Sequence, residues 1–437
     1  MAQTPSAARW QNWGRSESVT PVERRRPTSV DEVSAIVRSA RERGLRVKPV
    51  GTSHSFSGIA VAPGIQLDMS GLTGVVASDG HNVTLGAGTV LHDLPPLLGP
   101  LGLALQNMGD IDVQTISGAT STGTHGTGAD FGGIATRISG ATLVTGSGDI
   151  LDINRATNSE LLPAVAVGLG ALGVLVDLTI ECVPSFAMNL VERPEPLETV
   201  LAEWQQRIDE SDHFEFYWFA HTDVAATKTS TRLPGDARLA PLHPVRRWVD
   251  DSLVANTLYS ATTAFQRSFP RTTPAINRFS AKLWGNREFT DHSHNTFATE
   301  RRVRFREMEY AIPQDQVPAA LREIEAVIER KGWTISFPIE VRAAAADDLW
   351  MSTASGRKTG YIAVHRHYRE NPTEYFAAVE EIMKAHEGRP HWGKMNTRTA
   401  ADLAPVYPHF GDFVSVRDRL DPDRVFANPY LERVLGE

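Results

Sequence analysis

Two stretches rich in glycine and hydroxyl side chains constrain this chain more than any other feature. The first is Gly51-Thr52-Ser53-His54-Ser55-Phe56-Ser57-Gly58. The second is Ser117-Gly118-Ala119-Thr120-Ser121-Thr122-Gly123-Thr124-His125-Gly126-Thr127-Gly128. Glycine lets the backbone approach a ligand, and Ser and Thr hydroxyls donate to anionic oxygens. Two such loops in one lobe suit a pyrophosphate clamped from both sides, and two plain polar surface loops are the competing reading.

The surroundings of these loops read as an α/β core. Ser29 and Glu32 have the spacing of a capping box, and Val30, Val33, Ile36, Val37 and Ala40 recur at helical spacing up to a stop at Gly44. Arg46 to Val50 reads as a strand that runs into the first loop. Val83 to Gly88 reads as a strand before a helix near Val90 to Leu98. Leu143-Val144-Thr145 and Ile150 to Ile153 flank Gly146-Ser147-Gly148-Asp149, a hairpin signature. Val174, Val176, Leu178, Ile180 and Cys182 alternate with Leu175, Asp177, Thr179 and Glu181, as in a half-buried strand. Beyond Pro184 the glycine-hydroxyl loops cease and aromatics, His and Arg increase, so a second lobe is expected from about residue 186. Leu233 to Arg247 is Pro-rich and reads as a loop.

Composition narrows the function classes. The 437 residues exceed one ordinary domain, and 41% hydrophobic residues suffice for large cores. A net charge of −8 disfavours a general nucleic-acid binder. The single Cys182 excludes intrachain disulfides and any CxxC centre, and fits a reducing cytoplasm. Met1 to Trp13 lacks the apolar core of a secretory signal. Leu161 to Val176 is uncharged but shorter than the roughly 20 residues of a spanning helix and contains Pro163, so it reads as a buried segment.

Two motifs fail on inspection. Gly168-Leu169-Gly170-Ala171-Leu172-Gly173 is a literal GxGxxG, but a helix-like segment precedes it and a strand follows, the reverse of a dinucleotide fingerprint. Close packing at a helix-to-strand turn is the plainer reading. His386 and His391 in His386-Glu387-Gly388-Arg389-Pro390-His391 are five residues apart, which is wrong for a zincin, and no metal site is expected.

In the second lobe, Ile335, Phe337, Ile339 and Val341 form one strand face and Thr334, Ser336, Pro338, Glu340 and Arg342 the other. Glu340 and Arg342 therefore point the same way. The adjacent cation is expected to favour the Glu340 carboxylate, which suits a proton acceptor, while a solvent-facing ion pair is the bland alternative. Tyr361, His365 and His367 share a face of the strand Tyr361 to Tyr368.

These motifs resemble the sugar-lactone and alditol oxidoreductases of the vanillyl-alcohol-oxidase, or PCMH-type, flavoprotein superfamily. Val50-Gly51-Thr52-Ser53-His54-Ser55-Phe56, Thr122 to Gly128, Gly170-Ala171-Leu172-Gly173-Val174, Glu307-Met308-Glu309-Tyr310-Ala311-Ile312-Pro313, Phe337 to Arg342 and His391-Trp392-Gly393-Lys394 carry the resemblance in order along nearly the whole chain. It implies an α+β, two-lobed fold: a PCMH-type FAD-binding domain over residues 1–185, a substrate (cap) domain over 186–389 with an antiparallel sheet flanked by helices, and a segment 390–437 that returns to the FAD-binding domain. It implies FAD held by Val50, Gly51, Thr52, Ser53, His54, Ser55, Phe56, Ser117, Gly118, Ser121, Thr122, Gly123, His125, Gly126, Gly173 and Val174, covalently through His54. It places Glu340, Arg342, His365 and Lys394 in the active site, with His365 bonding a substrate hydroxyl or Glu340 and Lys394 offsetting charge on the reduced flavin. Ala343-Ala344-Ala345-Ala346 departs from the family pattern and is expected to alter pocket volume.

The implied activity is oxidation of an aldonolactone hydroxyl, with an alditol oxidase as the rival inside the family. A non-catalytic sugar-binding protein is the rival outside it, and a zinc hydrolase a distant third. The implied partners are a sugar lactone or polyol and, as electron acceptor, oxygen or an unidentified redox partner, with oxygen access governed by small side chains in Ser117 to Ser121. A cytoplasmic location, with peripheral membrane attachment as a variant, completes the expectation.

Overall fold

The computed structural model describes residues 8–248, 256–283, 285–299 and 301–437. The first seven residues of the stretch read for a signal lie outside them. The helix Val30–Glu42 starts as its sequence requires: Ser29 Oγ accepts from Glu32 N at 3.2 Å, and Val33, Val37 and Ala40 are buried. The reciprocal half of the box is shifted by one residue, because Glu32 Oε2 accepts from Thr28 N at 2.7 Å rather than from Ser29.

This helix packs into a core that two sheets share. In the smaller sheet, Glu23–Arg25 and Val47–Val50 flank Ile65–Asp68 in parallel. The other is antiparallel, in the order Ile150–Asn154, Ile138–Val144, Val174–Glu181, Asn82–Gly86 and Val75–Asp79. Trp392, Leu403, Phe413, Phe426 and Leu431 of the C-terminal segment belong to the same core. Leu161 to Val176 comprises a short helix Leu162–Val165, a glycine turn and the start of a strand. No helix among the described residues is long and apolar enough to cross a membrane.

An eight-stranded antiparallel sheet follows in the order Arg287–His292, Ala187–Pro196, Val224–Leu233, His213–Trp218, Ile339–Ala344, Thr359–His367, Phe305–Pro313 and Arg389–Pro390. Ile339, Val341, Ile362 and Val364 face a second core with the helices Val317–Lys331 and Thr373–Ala385. The opposite face carries the polar residues. The two cores meet at the glycine loop after Ser121. There Gly128 N donates to Ala343 O at 2.9 Å, Thr127 Oγ1 donates to Phe214 O at 2.5 Å, and Ala343 N donates to Thr127 Oγ1 at 3.2 Å.

Three expectations are corrected here. Ser117 to Ser121 is helix, Ile116–Ser121, because Thr115 Oγ1 accepts from Gly118 N at 3.3 Å and Ile116, Ala119 and Thr120 are buried. The strand bearing Glu340 starts at Ile339 rather than at Thr334, since Pro338 lacks a backbone donor for the ladder. Pro244–Arg247 forms a turn of helix within the segment read as loop.

The helices Tyr259–Ser268 and Thr273–Leu283 have reversed amphipathicity. Thr263, Gln266 and Asn277 turn inward, with Gln266 Nε2 donating to Asn277 Oδ1 at 2.9 Å. Phe265, Phe269 and Phe279 lie outward.

Candidate functional site: a cofactor cavity opening into a charged cleft

The strand Val47–Val50 delivers Gly51 to Ser55 to the wall of a cavity between the two smaller sheets. Ser117, Gly118, Ser121 and Thr122 form the facing wall, and Gly168 to Gly173 closes the end. A Cβ on Gly51 would fall 2.2 Å from Thr115 Oγ1, and one on Gly173 would fall 2.6 Å from Val144 O, so bare backbone is required at both. The GxGxxG turn thus lines a ligand cavity as well as joining a helix to a strand. Lys48 is buried beneath it, its Nζ donating to Gly170 O at 2.8 Å and to Phe426 O at 3.3 Å, and burial pushes its pKa down to about 7.

The backbone and hydroxyl walls, with Ile59, Met69, Leu143 and Leu172 beside them, suit a ligand that is anionic in its middle and flat and apolar at its ends. This chemistry fits FAD. The cavity continues through His54, Ser55, Gln114 and Thr122 into a cleft of about 500 Å³ on the polar face of the large sheet. His54 stacks on Trp13 with centroids 5.4 Å apart. Burial, with the Lys394 and Arg304 cations nearby, pulls its pKa down to about 4, so the ring is neutral at physiological pH.

Glu340 and Arg342 point into this cleft, as strand periodicity requires, and both are buried. A solvent-facing pair is therefore excluded. Their carboxylate and guanidinium form an ion pair. Arg342 also lies 2.8 Å from Glu215 and 3.3 Å from Asp110. Asp110 pairs in turn with Arg301, and Glu215 with Lys228 at 2.8 Å. Tyr217 Oη donates to Glu340 Oε1 at 3.4 Å.

The expectation that Arg342 would keep Glu340 ionised is reversed. Burial outweighs the guanidinium, and the Asp110 and Glu215 carboxylates add to it, so the Glu340 pKa rises to about 7. Asp110 and Glu215 are held below the usual carboxylate range because the Arg and Lys charges around them outweigh the cost of their burial. The Arg342 guanidinium is thus engaged by three carboxylates, through Nε and one terminal nitrogen that lack ideal hydrogen-bond alignment.

A second cluster lies on the neighbouring strands of the same sheet, beside the C-terminal segment. Lys394 Nζ lies 2.5 Å from Glu307 and 3.7 Å from Glu309. His125 Nε2 lies 2.9 Å from Glu309, and its ring stacks on Tyr361 at 3.5 Å. His365 faces Glu307 at 3.5 Å and donates from Nδ1 to Pro338 O at 3.0 Å, so its partner is Glu307 and not Glu340. The ligand atoms of His125, Glu309 and His391 lie within 4.8 Å of one another. The Lys394 ammonium already supplies a cation beside that group.

The four residues expected to be catalytic thus line one cleft, together with His54, Ser55, Phe56, Thr122 and His125. Val50, Gly123, Gly126 and Val174 do not reach either cavity: Val50 and Val174 pack in cores, and Gly126 backs onto Met108 O. Phe337 leaves the core face for the cleft wall, beside Phe305 and Tyr259. Ala343 and Ala344 are buried, and none of the four alanines lines the cleft. Sequence reasoning missed Asp110, Glu215, Tyr217 and Arg301, and it gave Glu307 and Glu309 no role beyond a place in a motif. Only Glu307 and Glu309 carried a signal, two acids at strand period in an otherwise apolar run.

The comparisons with known proteins agree with this geometry. Residues 178–434 match the D-arabinono-1,4-lactone oxidase family, and residues 24–154 match an FAD binding domain. The chain is 41% identical to an L-gulono-1,4-lactone dehydrogenase of Mycobacterium tuberculosis, with 98% of this chain and 99% of the relative covered. It is 34% identical to L-gulonolactone oxidase of Bos taurus, covering 98% of each. Among solved structures it is similar in fold to cholesterol oxidase of B. sterolicum, with a TM-score of 0.81 at 17% identity over 98% of this chain and 96% of that one. With a backbone-lined cavity suited to FAD leading into a cleft of buried acids and bases, and with these matches along nearly its whole length, the chain belongs to the D-arabinono-1,4-lactone oxidase family of FAD-dependent oxidoreductases.

Proposed function

We propose that this protein oxidises a ring hydroxyl of an aldonolactone of the L-gulono-1,4- or D-arabinono-1,4-lactone type. The observation that carries this reading is the buried Glu340–Arg342 pair in the same cleft as His54. Such an oxidation removes a hydride from carbon, which FAD accepts when bound, and a proton from oxygen, which falls to the protein. A Glu340 pKa near 7 suits an acceptor for that proton at neutral pH. The fixed donors of Arg342 orient the hydroxyl oxygen, and Lys394 adds positive charge beside Glu307 and Glu309. His365, held by Pro338 O and Glu307, shapes the cleft on the strand next to Glu340. The test is steady-state turnover of L-gulono-, L-galactono- and D-arabinono-1,4-lactone against xylitol, with oxygen and with an artificial acceptor. Preferential turnover of xylitol would overturn the lactone assignment in favour of an alditol oxidase.

The chain is read as two lobes, residues 1–185 with 390–437 and residues 186–389. The shared core of the first two segments and the bond from Phe56 N to Gly393 O at 2.6 Å support this division. It brings Lys394 to the cleft from the C-terminal segment.

His54 is proposed to hold the flavin covalently. A neutral ring on the loop that joins the two cavities retains a nitrogen lone pair for the bond. Acid-precipitated protein is expected to stay yellow, and His54→Ala to release its FAD. Retained colour in the His54→Ala pellet would move the linkage elsewhere, with His125 the next residue to replace.

A location in the cytoplasm with peripheral attachment to anionic membranes is also proposed. The outward Phe265, Phe269 and Phe279 support it, as do Arg267, Arg271, Arg278 and Lys282 in a 258–283 sequence without Asp or Glu, in a chain of net charge −8. Sedimentation with phosphatidylserine vesicles should exceed that with phosphatidylcholine vesicles and fall when the three phenylalanines become serine. Equal sedimentation would exclude the attachment.

A further inference from the structure

Asp110 belongs to no regular element, yet its carboxylate sits at the centre of the charge arrangement behind Glu340. It pairs with Arg301 and lies 3.3 Å from Arg342. Its main chain is fixed as well, since Thr299 N donates to Asp110 O at 2.9 Å. Among the described residues, the groups that act on Glu340 are Arg342 from its own strand, Glu215 and Tyr217 from the adjacent strand, Asp110 from the segment before the helix Ile116–Ser121, Arg301 from the segment before Phe305–Pro313, and Lys394 from the C-terminal segment. Two of the three carboxylates, Asp110 and Glu215, have claims on Arg301, Arg342 and Lys228. Among the described residues Glu340 has an ion pair only to Arg342, and it shares that guanidinium with both.

We propose that Asp110 is a positioning residue for the oxidation: by bridging Arg301 and Arg342 it fixes the substrate-orienting guanidinium and prevents Glu340 from acquiring two cationic partners of its own. The proposal rests on the reading of Glu340 as proton acceptor and adds what keeps that acceptor basic. With Asp110 present, Arg301 is turned toward Asp110 and reaches the Glu340 side through a 3.5 Å contact with Tyr217 Oη. Without it, both guanidinium groups are released toward the nearest remaining carboxylate, and a like charge is lost. Both changes lower the proton affinity of Glu340. Removing Arg301 has the opposite sign, because a cation is lost while the Asp110 charge stays.

The experiment titrates Glu340 directly in the FAD-loaded protein. The infrared carbonyl band of the protonated carboxyl is assigned as the one lost in Glu340→Gln and followed with pH. Asp110→Asn should move its midpoint down by about 1–3 units and Arg301→Gln should move it up. The acid limb of flavin reduction should follow the band in each variant. A residue that merely stabilises the fold would scale the rate at all pH values and leave both midpoints in place. Unshifted midpoints, or shifts of the same sign in the two variants, would overturn the proposal, and Arg301→Gln decides alone if Asp110→Asn does not fold. Opposite shifts of the band with no loss of rate in Glu340→Gln would instead uphold the arrangement and refute the acceptor role.

Discussion

Replacing Glu340 by Gln should slow the reduction of bound flavin by substrate about 10²–10⁴-fold, the usual contribution of a positioned general base. Gln is nearly isosteric and buries no new charge, so FAD content and thermal midpoint should stay close to those of the unaltered protein. Anaerobic stopped-flow absorbance measures the step without the later electron acceptor. The pH dependence follows from the direction of the Glu340 shift. Burial, Asp110 and Glu215 raise its pKa to about 7 against the pull of Arg342. Below that pH the carboxyl is protonated and cannot accept a proton, so the rate should rise with pH through about 7. A reduction rate in Glu340→Gln within a few-fold of the original would return Glu340 to the role of an ion-pair partner.

Arg342→Leu is expected to harm stability as well as turnover. The guanidinium is buried and contacts Glu340, Glu215 and Asp110. Its loss leaves these carboxylates to one another, with Arg301, Lys228 and the more distant Lys394 for compensation. Breaking a buried pair by deleting one partner typically costs about 3–5 kcal/mol, which urea unfolding at neutral pH reads directly. Arg342→Lys separates the two roles. It restores a positive charge, and with it much of the stability, but lacks the planar fork, so KM for the lactone should rise while the unfolding midpoint recovers. Unfolding of Arg342→Leu at the original urea concentration would mean that the charges are compensated without Arg342.

The parts of the site that depend on local chemistry were legible in the amino-acid order. Glu340 and Arg342 fall on the polar face of an alternating strand, and Ile339 and Val341 enter the core. The first glycine loop follows a strand and lines a cavity, as its composition requires. Ser117 to Ser121 misled because its small polar residues are equally common in turns. A cap from Thr115 and the burial of Ile116 and Ala119 make it helical, and burial is a tertiary fact. Period two puts Phe337 on the same face as Ile339 and Val341, yet Pro338 ends that period before the ladder begins. The direction of the Glu340 shift was out of reach for the same kind of reason. Its sequence neighbour Arg342 argues for a low pKa, whereas Asp110 and Glu215, brought in by other segments, argue for a high one. Asp110 carries no local pattern at all, since an acid in an irregular segment resembles any surface residue.

The three bonds around Thr127 and Gly128 bear on how this enzyme can be altered. They tie the loop that leaves the cofactor cavity to the strands carrying Phe214 and Ala343, next to Arg342. The spacing between the cofactor wall and the strand of Glu340 is therefore set by one main-chain bond and one threonine hydroxyl, independently of the side chains on the outer cleft wall. Phe305, Phe337 and Tyr259 stand on the cleft wall outside this joint. Changes of size or shape at those aromatics are expected to alter the choice between lactones and polyols while the spacing set by this joint stays constant. The fold thus keeps the joint between its two cores apart from the side chains of the outer cleft wall.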